Sequence, residues 1–200
     1  MSPEIVTYCN CMEEVKLRIG LVQSVVVRSV TTGREDFDAE LIFVQLRKTL
    51  ELIAFASLSA NKAKYSATYN NFATHWNARR MLDYLKKVNP DFYPIPVVYA
   101  GINEKGVKHF ELLTEGFLTK DEFVVLYDKC GHILHARNPF TSQDAVIQLG
   151  YSVWDWGLRI QKLLSLHRVY LVDSLNTWLV SMNDPNDGKV HAFVAQPREM

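Results

Sequence analysis

The chain carries no surplus charge: 22 Lys and Arg balance 22 Asp and Glu over 200 residues. Phosphate contacts supply most nucleic-acid affinity, so any such surface here must be a local one. Cysteine is sparse and odd in number, at Cys9, Cys11 and Cys130. Three thiols make no disulfide framework, and a reducing compartment, the cytoplasm, is the simpler expectation. No apolar run reaches the roughly 18 residues that a membrane span requires, and Met1 to Glu14 lacks the apolar stretch of a signal peptide. Glycine-rich phosphate loops, a serine nucleophile elbow and a zinc-protease helix motif are absent as well. The sequence therefore predicts no cofactor and no membrane contact.

What is present is ordinary globular material, 48% hydrophobic and 22% charged. A chain of this length buries roughly 70% of its unfolded surface and folds without metal or disulfide. Spacing of apolar residues predicts helices over about Met12–Arg28 and Phe37–Asn61. In the second, Leu41, Phe43, Leu46, Leu50, Ile53 and Phe55 surround most of the circumference, which suits the centre of a bundle. Arg47 and Glu51 lie four residues apart and share a face.

A further helix is expected over about Asn71–Val88, with Asn89 in a left-handed cap before Pro90. Residues 90–118 read as an irregular excursion with one hairpin near Asn103–Gly106. Thr119 and Glu122 have the spacing of a capping box that opens the next helix, and a last helix is expected over about Gln143–Leu166. Strand-like runs follow at Val169–Val172, Thr177–Met182 and Val190–Ala195. The fold class is mainly α: one domain over 1–200, with a bundle of four to five helices in 1–166 and a small β hairpin or meander in 167–200.

Two stretches concentrate polar chemistry. Between Asn61 and Pro90 stand Lys62, Lys64, Arg79, Arg80, Lys86 and Lys87 against one acid, Asp83, with Tyr65, Tyr69, Phe72, Trp76 and Tyr84 interleaved. Cations beside aromatic platforms suit single-stranded nucleic acid; the structural alternative is an amphipathic helix with its rings turned inward. From Tyr127 to Phe140 run His132, His135, Arg137 and Asn138 at an expected helix end. His135 exchanges protons near neutral pH and Arg137 suits bidentate phosphate contact; the structural alternative is that these residues complement the helix terminus. Arg47, Glu51 and Tyr127 are the expected polar support for that end.

Cys9 and Cys11 with Cys130, His132 or His135 have poor zinc spacing, so no metal site is expected. Trp154 and Trp156 are expected to pack, Arg159, Lys162 and His167 to form a solvated helix face, and the pairs Asp36/Asp38 and Asp184/Asp187 to stabilise turns.

The helix around Gln45-Leu46-Arg47-Lys48-Thr49-Leu50-Glu51-Leu52-Ile53, followed by a helix ending in Arg137-Asn138, resembles the HEPN family. That family comprises metal-independent ribonucleases and inactive relatives of bacterial defence and toxin systems. Its catalytic motif is an arginine, often followed by a polar residue, with a histidine four to six intervening residues later. Arg137-Asn138 matches the first half. Ser142, Gln143 and Asp144 stand where the histidine would be, and the next histidine is His167.

The resemblance implies a helical binding module for nucleic acid or a protein partner, paired as a homodimer. Its alternative is a ribonuclease using His135, Arg137 and Asn138. A third reading is a small-ligand pocket covered by the segment 91–116.

Overall fold

A computed structural model describes residues 2–69, 74, 77–104, 106–135, 148–172 and 176–195. It contains six helices and a five-stranded antiparallel sheet among these residues. The mainly helical class is as expected; the sheet is larger than a hairpin.

Helix α1 spans Pro3–Val26, nine residues earlier than apolar spacing alone suggested. Ser2 caps it by accepting the Ile5 N–H, and Pro3 occupies the first turn, where its missing N–H costs nothing. Tyr8, Met12, Val15, Ile19 and Val22 form its buried stripe. Helix α2, Glu35–Ala60, packs along α1 and also on α4 (Ala78–Val88) and α5 (Lys120–Leu134). Leu46, Leu50 and Ile53 are fully buried between these neighbours, whereas Phe37 and Phe55 reach solvent.

The short helix α3 covers Lys62–Thr68. Asn77 caps α4 through the Arg80 N–H, so this helix begins later than the expected Asn71 start. Its far end is a second correction. Asn89 has φ −145° and ψ 106°, which is extended and not left-handed. Its buried side chain instead donates to the Asn61 carbonyl oxygen Oδ1 at 2.8 Å and to the Tyr170 carbonyl at 3.0 Å. Helix α5 opens on the expected capping box of Thr119 and Glu122. Helix α6, Val153–Leu164, starts at the Ser152 cap; of the expected Gln143 start, residues 143–147 lie outside the described residues.

The excursion expected over 90–118 holds two strands of the sheet. β1 (Ile95–Ile102) and β2 (Lys108–Leu112) form the hairpin around Asn103–Gly106, and β1 pairs with β3 (Leu166–Tyr170) through Ile95–Arg168 and Pro96–His167. β4 (Thr177–Ser181) and β5 (His191–Ala195) complete the order β2-β1-β3-β4-β5. Alternation along β3 and β4 turns His167, Val169, Trp178 and Val180 inward. One hydrophobic cluster runs without a break from Ile5 in α1 through α2, α5 and α6 to Val180. No described helix is long and apolar enough to cross a membrane.

Candidate functional site

The cations expected to hold nucleic acid fall on two adjoining helices. Lys62 and Lys64 are exposed on α3, and Arg79, Arg80, Lys86 and Lys87 are exposed on α4. The reason is the period of α4: Ala78, Met81, Leu82, Leu85 and Val88 face the core, which leaves the cations outward. Arg79 forms an ion pair with Asp128 on α5, and Lys62 lies close enough to Glu4 to help hold that carboxyl below its usual range, behind hydrogen bonds from its backbone and Ser2.

The interleaved aromatics behave differently. Tyr65 is fully buried, its centroid is 4.9 Å from Tyr69, and Tyr69 is 4.8 Å from Tyr84. These rings pack tilted against one another and tie α3 to α4, so they are not open platforms for bases. Lys87 places its ammonium 5.8 Å from the Tyr84 centroid, over that stack. Trp76 and Phe72 lie outside the described residues.

Arg47, Glu51 and Tyr127 touch one another. Arg47 donates from Nη2 to the Tyr127 hydroxyl at 2.8 Å, lies 4.3 Å over the Tyr127 ring and pairs with Glu51 at 3.3 Å. Tyr127 donates in turn to Glu51 Oε1 at 3.3 Å. Gly131, one turn on, leaves room for the guanidinium: a Cβ there would come within 2.9 Å of Arg47 Nη1. Burial raises the Tyr127 phenol, with Arg47 opposing. A closed triangle of donor, ring and carboxylate joins α2 to α5 and keeps the phenol protonated.

His135 is not part of this cluster. It is exposed at the C-cap of α5, eight residues and about 12 Å of helix rise beyond Tyr127. Arg137 and Asn138 lie outside the described residues.

Several residues hold places the sequence did not assign. His167 is no part of a solvated face: it is fully buried, with Nδ1 2.7 Å from the Leu164 carbonyl and Nε2 2.7 Å from the Tyr8 hydroxyl. A carbonyl only accepts, so Nδ1 carries the proton and Tyr8 donates to Nε2. Burial lowers the imidazole to about 4 and pushes the Tyr8 phenol well up. Arg159 leaves the expected solvated face for a half-buried pair with Glu122, its guanidinium stacked 4.5 Å from the Tyr151 centroid; Lys162 remains exposed. Trp156 packs as expected while Trp154 is 40% exposed.

Burial raises the thiols of Cys11 to about 11 and of Cys130 to about 12, so neither is a ready nucleophile or thiolate ligand. Asp184, Asp187 and His191 bring ligand atoms within 4.8 Å of one another. Their oxygens are committed to the turn, Asp184 to the Asn186 amides and Asp187 to the Lys189 N–H and His191, as the turn-forming expectation for the two aspartates has it. Asp38 likewise accepts from Thr31 and Thr32 ahead of α2.

An open cavity of about 330 Å³ lies between α1, α6 and the end of β4, lined by Ile19, Gly20, Gln23, Gln161, Met182 and Asn183. It is remote in sequence from the 91–116 segment that was expected to cover a pocket. Comparison with protein-family models, curated proteins and solved structures finds no match for this chain.

Proposed function

We propose that the chain is a binding module that holds single-stranded nucleic acid, RNA in the first instance, against the outer faces of α3 and α4. The observation that carries this reading is the grouping of Lys62, Lys64, Arg79, Arg80, Lys86 and Lys87 on the exposed sides of two packed helices. Asp83 is the single acid from residue 62 to residue 87, in a chain whose total charge is zero. Such a patch concentrates positive potential where an evenly mixed surface would cancel it.

Binding in this mode rests on phosphate contacts. The Tyr65–Tyr69–Tyr84 stack is turned on itself, so base stacking contributes little from these rings. Sequence preference is accordingly weak and salt dependence strong. The HEPN resemblance supports a helical binding module in the same way: Gln45–Ile53 lies inside the central helix α2. With no histidine in the family's place after Arg137, the reading is of binding and not of cleavage.

The test is fluorescence anisotropy with a labelled single-stranded RNA over a series of salt concentrations. Arg79 is committed to Asp128 and Lys64 has a contact of its own, which leaves Lys62, Arg80, Lys86 and Lys87 for phosphate. The slope of log K against log salt is then expected near −3, at about −0.7 per contact. The double substitution Arg80→Glu with Lys87→Glu weakens binding by at least about tenfold while the far-ultraviolet dichroism is unchanged. Absence of binding at low salt, or equal binding by the variant, overturns the reading. RNA shortened during the same incubations would bring forward the ribonuclease alternative instead.

A further inference from the structure

β5 ends the sheet. Its inner side pairs with β4 along the whole strand, from His191 opposite Ser181 to Ala195 opposite Thr177, and among the described residues no strand lies on its outer side. An edge strand presents a row of unpaired N–H and C=O groups that template another strand, and proteins usually guard it with charge, proline or a bulge. The opposite end of the sheet is guarded in that way. β2 carries Lys108, His109 and Glu111, and the register of its partner β1 is interrupted between Tyr99 and Gly101.

β5 has none of these devices. His191-Ala192-Phe193-Val194-Ala195 holds no lysine, carboxylate or proline, and its register with β4 is unbroken. It also leaves Phe193 51% exposed and Val194 55% exposed. Phe193 stands in the row with Leu179 and Arg168 on the face away from the helices, and Val194 in the row with Trp178 and Val169 on the core side. Among the described residues Phe193 and Val194 thus leave both faces of the strand partly exposed, while Ala192 packs against the core.

We propose that β5 joins two copies of this chain, edge to edge, by antiparallel pairing with β5 of the second copy. An antiparallel edge is self-complementary across a two-fold axis, so one patch serves both partners and the assembly closes as a dimer. A two-fold perpendicular to the sheet keeps each face on its own side, which requires the axis to pass through a residue and not between two. Centred on Phe193, the pairing uses all five residues: Phe193 meets its own copy on the outer face, and Val194 meets Ala192 on the core side.

The result is a continuous ten-stranded sheet with an aromatic pair at its centre, an arrangement that stabilises antiparallel strands. Zero net charge and an uncharged strand oppose nothing to the approach of two copies. Pairing β5 with the guarded β2 edge of another copy would set a bare strand against Lys108 and Glu111 and would not close. The exposed apolar groups of the helices are spread over α1, α2, α5 and α6, so the proposal places the expected homodimer at the sheet edge. This interface is independent of the nucleic-acid reading.

Sedimentation velocity of the full chain over a concentration series tests it. The native chain is expected to shift from monomer to dimer, with a dissociation constant on the order of micromolar for so small an interface. Phe193→Lys sets two ammonium groups against each other at the axis and is expected to weaken association at least about a hundredfold. Phe193→Tyr preserves it. Amide hydrogen exchange provides a reading on the native chain even if Phe193→Lys fails to fold: alternate β5 amides should slow as concentration rises. A monomer at every concentration, a Phe193→Lys chain that dimerises as well as the native one, or β5 exchange that ignores concentration overturns the proposal.

Discussion

Tyr8 and His167 show how one buried pair ties stability to acidity. The folded imidazole titrates near 4, below its ordinary value of 6.5, because burial disfavours the charged ring. Between those two values the unfolded chain takes up the proton and the folded chain does not. Stability is thus complete above about pH 6.5 and falls as the pH drops toward 4. The gap corresponds to roughly 3 kcal/mol in total, at about 1.4 kcal/mol per pH unit. Urea unfolding at pH 7 and pH 4.5 measures it. Tyr8→Phe removes the hydroxyl that Nε2 accepts from, and is expected to cost about 1–3 kcal/mol at pH 7 by leaving a buried acceptor unsatisfied. Nothing in the sequence links the two residues, since 159 positions separate them.

At the scale of elements, what local chemistry decides was legible and what distant pairing decides was not. Thr119 and Glu122 announced α5 because a capping box is complete within four residues. Arg47 and Glu51 announced their contact because helix period alone puts them together. β1 gave half of its signal, the hairpin near Asn103–Gly106. Ile95 and Pro96 become sheet by pairing with β3 some seventy residues later, whereas Val97 and Val98 pair with β2, and a strand start holding a proline reads as loop until its distant partner exists. The start of α4 was misjudged because aromatic residues continue its period backward, although the Asn77 cap stood in the sequence.

The end of α1 offers a test at this scale. Arg28 has φ +59°, and the Ser29 N–H returns to the Ser24 carbonyl at 2.9 Å, the wrapped terminus that glycine favours. Arg28→Gly gives up only an exposed pair with Glu35. It is expected to stabilise the chain by up to about 1 kcal/mol in urea unfolding, the relief of a left-handed side-chain clash less the added freedom of glycine when unfolded.

For the molecule as a whole, helices and sheet share one apolar interior, with Tyr8 edge-on to Trp178 at 5.8 Å between them. They are therefore expected to melt together. Helical dichroism and tryptophan fluorescence should trace coincident urea transitions, and two separated transitions would contradict a shared core. The candidate site follows the same division as the fold. The basic face of α3 and α4 was readable from charge and helix period, whereas the inward turn of its tyrosines depends on how the two helices meet.

The links from α1 to the far end of the chain also set the order in which the molecule can be made. Tyr8 waits for His167, Lys16 for the Gly188 carbonyl at 2.6 Å, and Glu13 for the Val190 N–H at 2.6 Å. During synthesis α1 and α2 are made before the sheet and can pair, but the other side of α1 remains open until His167, Gly188 and Val190 have been made. Closing contacts of such sequence separation slows folding. Until those contacts form, the nascent chain carries an uncovered stripe of Tyr8, Met12 and Val15, residues that are buried in the finished fold.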